Sequence, residues 1–171
     1  MKKKNIKVSN IILIVIVVLI VAYFLLYGIR NITVCNNIQS EVLNEYHGNV
    51  EVIRETRTRN IVYFLQLDNG DTVRVNPDLL ENDASLEQYE QLSIKYSEPK
   101  YGLKKAYTAV EVRAGDNDTI LLDSQTSYDE AKGGAYIGFA FSGVVSLILI
   151  VVGVGFAFVQ KNIKKKNRGK T

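Results

Sequence analysis

Two long uncharged blocks constrain this chain more than anything else in it. Val8 to Ile29 is 22 residues without a charge and Gly133 to Gln160 is 28, so 50 of the 171 positions lie in two apolar stretches. Each exceeds the roughly 18 residues at which an apolar run is long enough to cross a bilayer as a helix. With 47% apolar residues gathered in this way and a single cysteine, a purely soluble globule, a disulfide scaffold and a disordered chain are all excluded.

Charge orients the two spans. All 18 acidic residues lie between the blocks with 11 basic ones, a balance of −7, while the tails carry basic residues alone. Lys2, Lys3, Lys4 and Lys7 precede the first block; Lys161, Lys164, Lys165, Lys166, Arg168 and Lys170 follow the second. Lys and Arg beside a span are retained on the cytoplasmic side, so both termini are expected in the cytoplasm and the middle outside the plasma membrane. Tyr23, Tyr27 and Tyr136 fall at the outer ends of the spans, where a ring with a polar tip suits the headgroup layer. A signal peptide is the rival reading of the first block, but the block is long and no small-x-small cleavage site follows it, so an uncleaved anchor is expected. Ile32-Thr33-Val34-Cys35 resembles a lipobox but places Val34 where that signal wants a small residue.

Between the spans, strand signals dominate. Gly48 to Val52 alternates, Ile61 to Leu67 is a β-branched and aromatic run suited to a strand covered on both faces, and Asp68-Asn69-Gly70-Asp71 reads as a hairpin turn with positive φ at Asn69 and Gly70. Thr72 to Val75 returns as the partner strand. Leu92, Ile94 and Tyr96 alternate with polar residues, Val110 and Val112 continue the pattern, and Gly115 to Asp118 turns into Thr119 to Leu122. A short crossover helix is expected near Ser85 to Glu90, and Ser127 to Glu130 has the spacing of a capping box that would start the second helix. The expected organisation is a basic tail (1–7), a transmembrane helix (8–29), a juxtamembrane segment (30–47), an extracytoplasmic β-domain (48–127), a helix containing the second span (128–160) and a basic tail (161–171). The fold class is therefore a membrane protein with two transmembrane α-helices flanking a small all-β domain, a barrel or sandwich of about six short strands.

Gly48-Asn49-Val50, the Leu67-Asp68-Asn69-Gly70 turn and Leu92-Ser93-Ile94-Lys95-Tyr96-Ser97-Glu98-Pro99 give this order of parts a resemblance to the DUF3592-like family of small bacterial two-span proteins. The last segment looks like that family's strand ending in Tyr-Asp-Pro, with Ser97-Glu98 in place of the aspartate. The resemblance covers about residues 48 to 160 and implies a topology, not an activity.

Chemistry has few candidates. Cys35 and His47 are the one thiol and the one imidazole; a nucleophile–base pair like that of sortases would need the cysteine on a late barrel strand, whereas Cys35 precedes every expected strand. No second histidine is present for a zinc site, and Asp68, Asp71, Asp116 and Asp118 fall in turns that do not match a calcium loop. Arg54, Arg57 and Arg59 alternate with Glu and Thr as a solvated strand end would. No catalytic, cofactor or metal residue is expected, and the acidic middle argues against nucleic acid. With no Asp, Glu, Lys, Arg or His in either apolar block, Ala140-Phe141-Ser142-Gly143 has no histidine to make it an intramembrane protease. Ser142 belongs instead to Gly134, Gly138, Ser142 and Ser146, four small residues at every fourth position of one helix, with Gly153 and Ala157 a smaller version further on. Such a stripe lets another helix approach closely; the Ile and Val rows of the first span, a second copy or another membrane protein are the expected partners beside the lipid itself. The function expected is a non-catalytic, membrane-anchored interaction or accessory module, the alternative an extracytoplasmic enzyme whose site spacing does not reveal.

Overall fold

The computed structural model describes the backbone of residues 2–168 apart from 58–59, 82–83, 102–104 and 116–118, and side chains within residues 12–56, 61–81, 84–98, 105–115 and 119–153. The chain forms two compact units: residues 29–135, which hold the β-domain, and residues 1–28 with 136–171, which hold the greater part of two helices.

The β-domain has six strands: β1 (Asn44–Arg57), β2 (Asn60–Leu67), β3 (Thr72–Val75), β4 (Gln91–Tyr101), β5 (Ala106–Ala114) and β6 (Thr119–Leu122). Their order is β3-β2-β1-β4-β5-β6, and β3 also pairs with β5 in parallel, Val73 opposite Tyr107. Strands β1 to β3 form a meander and β4 returns beside β1, which is a Greek key. The β3–β5 pairing then closes five strands into a barrel, with β6 appended to β5, and so decides between the barrel and the sandwich.

Closure depends on β1, which starts at Asn44 rather than Gly48 and serves both sides of the barrel. Asn44 to Asn49 pair with β4, and Val50 to Arg57 pair with β2. Gly48 lies two residues before the point, between Asn49 and Val50, where the partner changes. A Cβ there would lie 2.7 Å from the Tyr46 hydroxyl oxygen, so the missing side chain makes room for the Tyr46 ring to fold along its own strand and donate to the Asn49 carbonyl at 2.6 Å. Alternation fills the interior: Tyr63, Leu65 and Leu67 of β2 meet Val73, Val75, Leu92, Ile94 and Val112, while Val62 and Phe64 pack on the opposite face with Ile53 and Ala106. The strand is covered on both faces, as its continuous apolar run predicts.

Local details differ from the sequence reading where tertiary partners intervene. At the β2–β3 hairpin Gly70 takes φ +87°, and Asn69 does not share the positive φ. Leu67 N–H bonds the Asp71 carbonyl and Gly70 N–H the Leu67 carbonyl, leaving a three-residue loop that needs one glycine-type residue, while Asn69 Oδ1 accepts from Asp71 N–H. The 3-10 turns Pro77–Leu79 and Leu86–Gln88 stand where a crossover helix is expected, and Leu86 is fully buried beneath the connection. Gly115 turns toward β6 as expected; residues 116–118 of that turn lie outside the described residues.

The helices are longer than their apolar blocks. Helix α1 covers Lys2–Gln39 and α2 covers Ser124–Arg168, about 57 and 67 Å at 1.5 Å per residue, and both are long and apolar enough to cross a membrane. Both basic tails are thus partly helical, and the 30–47 segment divides into helix to Gln39 and strand from Asn44. The end of α1 is a Schellman turn, with Val42 N–H on the Asn37 carbonyl, Glu41 N–H on that of Ile38, and Glu41 at φ +56° where glycine is usual. The expected Ser127 capping box does not form. Asp123 caps α2 instead, its carboxylate accepting from Gln125 and Thr126 N–H at 3.0 and 3.3 Å, because β6 ends at Leu122 and delivers the chain there. Ser127 lies inside the helix and donates to the Val110 carbonyl at 2.7 Å. Val110 is the extra residue of a bulge, since Lys95 pairs with Glu111 and Tyr96 with Ala109, so its carbonyl takes its partner from outside the β4–β5 ladder.

Candidate functional site: a small-residue helix seam

Helix α2 turns one narrow stripe inward. In the helix-pair unit Gly138 and Ser142 are buried and Ser146 is half-buried, while Tyr136, Ile137, Val144 and Leu147 point out at 59–77% exposure. Gly138 is the tightest point. A Cβ built on it would lie 2.7 Å from both Cα and N of Gly28 and 2.8 Å from the Phe24 carbonyl oxygen, so the two helix backbones touch with no side chain between them. At Gly138 the partner surface is Gly28 and Phe24 rather than an Ile or Val side chain. Phe139 lies over Gly28, and the Phe24 and Phe141 rings meet at 4.1 Å between centroids. Gly28 is the single glycine of the first apolar block, which is the signal that could have found it.

Ser142 does not reach across the seam. Its one O–H is shared between the Gly138 and Phe139 carbonyls of its own helix at 2.8 and 3.1 Å, which satisfies the donor without a partner helix. Gly143 and Gly153 have open space where a Cβ would stand, so they take no part in this contact. The side chain of Ala157 lies outside the described residues.

In the β-domain unit Gly134 is buried on α2, and Cys35 of α1 packs with Val34 and Ala131 at 3–5% exposure. The Cys35 Sγ points at the Tyr128 carbonyl, 3.8 Å away, while His47 lies on the exposed side of β1 opposite Ser93, so the structure does not bring the thiol and imidazole together. Cys35 is an interior packing residue of the β-domain unit. Asn37 Nδ2 donates to Ser97 Oγ at 2.9 Å and to the Glu98 carbonyl, and Gln39 donates to the Tyr128 hydroxyl, so the end of α1 is bonded both to β4 and to the start of α2.

The turn carboxylates serve the barrel. Tyr96 donates to Asp71 Oδ2 at 2.9 Å, its ring edge-on to Tyr107. Burial is the main cause that raises the Tyr96 phenol above its ordinary value, and Asp71 beside it acts in the same direction. Burial first and Asp68 second do the same for Tyr46. Glu45, Lys95 and Glu111 form a cross-strand charge row that Arg113 extends at 2.8 Å from Glu111. Arg54 is exposed on β1; the Arg57 side chain, Arg59, Asp116 and Asp118 lie outside the described residues. Among the described residues no three His, Cys, Asp or Glu side chains gather as a cation would need.

No family model, no curated protein and no solved structure matches this chain.

Proposed function

We propose that this chain is a membrane-anchored, non-catalytic interaction or accessory module, with α1 and α2 crossing the cytoplasmic membrane, both termini in the cytoplasm and the barrel displayed outside. One observation carries the reading. Among the described residues of the helix-pair unit the buried ones are Gly28, Gly138 and Ser142, while Leu13, Leu19, Leu26 and Leu147 face outward at 62–65% exposure. That is the reverse of a pair folded in water, where leucines fill the seam, and it suits lipid tails, which are as apolar as leucine and leave close backbone packing to hold helices together. The barrel supports the accessory part of the reading, because Leu65, Val73, Val75, Leu92, Ile94 and Val112 fill its interior at 0–1% exposure. The DUF3592-like resemblance adds the same order of parts and no chemistry.

Buried Cys35 is the wrong reporter for orientation, so the test moves the thiol to Val42, which is 66% exposed. In a Cys35→Ala background, Val42→Cys is expected to react with a membrane-impermeant maleimide on intact cells. Labelling only after permeabilisation would reverse the orientation. The intact mass is expected to retain Met1 to Tyr27; a chain beginning beyond Tyr27 would make α1 a cleaved signal. Crosslinking in intact cells followed by mass spectrometry is expected to recover a stoichiometric membrane protein, and recovery of this chain alone refutes the accessory role.

A further inference from the structure

We infer that the outer headgroup layer meets the chain across Tyr27 to Ile32 of α1 and Lys132 to Tyr136 of α2, and that residues 33–39 and 124–131 stand above it in water as a two-helix stalk of the β-domain unit. The inference rests on the membrane reading above and adds to it where the lipid surface lies. The pattern of burial inverts at this level on both helices. Below it bulky apolar side chains face out, the last of them on α1 being Ile29 and Ile32 and the first on α2 being Tyr136. Above it the exposed positions are Asn36, Gln39, Gln125, Thr126, Asp129 and Glu130, and the buried ones are Val34, Cys35, Ala131 and Ser127, whose hydroxyl is taken up by the Val110 carbonyl. Polar outside and apolar inside is the arrangement that water imposes.

Length agrees. From Gly28 back to Val8 is 21 residues, about 31 Å of helix, which matches a hydrocarbon core of roughly 30 Å. Counting the same 21 residues from Ile137 ends at Ala157, with Gln160 and Lys161 following within one turn as inner headgroup residues. The side chains of α2 lean toward its N-terminus, so Tyr136 at 77% exposure and Lys132 one turn earlier both reach toward phosphate rather than into the tails. Had the membrane covered α1 to Gln39, Asp129 and Glu130 of the paired segment would sit in hydrocarbon without need.

The chain has no tryptophan, so a single introduced one reports its own depth. Full-length variants Ile16→Trp, Tyr136→Trp and Glu130→Trp, all at exposed positions, would be reconstituted in phosphatidylcholine vesicles containing lipids brominated either deep in the acyl chain or near the headgroup. Ile16→Trp is expected to be quenched best by the deep bromines, Tyr136→Trp best by the shallow ones, and Glu130→Trp by neither. Quenching of Glu130→Trp like that of Ile16→Trp, or deep quenching of Tyr136→Trp, overturns the boundary while leaving the membrane reading intact. An Ile16→Trp that neither lipid quenches overturns the membrane reading itself.

Discussion

Substituting Gly138 by alanine tests the seam with a single methyl group. The new Cβ would stand 2.7–2.8 Å from three backbone atoms of α1, the Gly28 Cα and N and the Phe24 carbonyl oxygen. Ordinary contact begins near 3.4 Å, so relief requires about 0.6–0.7 Å of separation between two helices that cannot bend locally without breaking their own hydrogen bonds. A gap of that size forfeits roughly a quarter to a half of the dispersion energy of each atom pair that it opens, including Phe24 on Phe141 and Phe139 on Gly28. The expected cost is about 1–3 kcal/mol, the usual range for overpacking. Gly143→Ala is the matched control, because its Cβ enters open space and gains at most about 1 kcal/mol of helix propensity. Unfolding of purified protein in a fixed detergent is the assay, following the helix signal against denaturant or temperature. Gly138→Ala melting with Gly143→Ala would refute the close approach.

The joints give three further expectations. Glu41→Gly should stabilise the β-domain by about 0.5–1 kcal/mol in thermal unfolding, since left-handed backbone costs a side-chain-bearing residue roughly 1–2 kcal/mol and glycine returns part of that through unfolded-state entropy; unchanged stability would mean the turn is not strained. Ser127→Ala should cost about 1–3 kcal/mol by orphaning the buried Val110 carbonyl, and Asp123→Ala about 1 kcal/mol, whereas Glu130→Ala, which would matter in a capping box, should be near neutral by the same assay. Tyr46 and Tyr96 hold their protons more tightly folded than unfolded, so their contribution is fully present below the ordinary phenol value of 10.0 and is lost as pH rises above it. Tyr96→Phe should therefore flatten the fall of stability with pH in that alkaline range, and an unaltered slope would remove Tyr96 as its source.

Local pattern was sufficient for much of this molecule. The apolar blocks, the alternation in β2 and β4, and the turn residues at Gly70 and Gly115 each depend on neighbours within a few positions, and they specify two helices and six strands in the right order. The small-residue stripe through Gly138 and Ser142 was legible for the same reason, as a period on one helix. What faces that stripe was not, because Gly28 and Phe24 are more than a hundred residues away and only the packed helices bring them to it. Tertiary structure likewise decided the barrel: β3 meets β5 because β1 runs on past both ends of its alternating core and changes partner between Asn49 and Val50, a point that sequence shows only as part of one strand. It also moved the start of α2, since Ser127 has the spacing of a cap but is drawn to the bulge carbonyl of Val110, leaving Asp123 to hold the helix end. Sequence determined which elements exist, since their periods are local; long-range hydrogen bonds and backbone contacts decided where each one ends and what it touches.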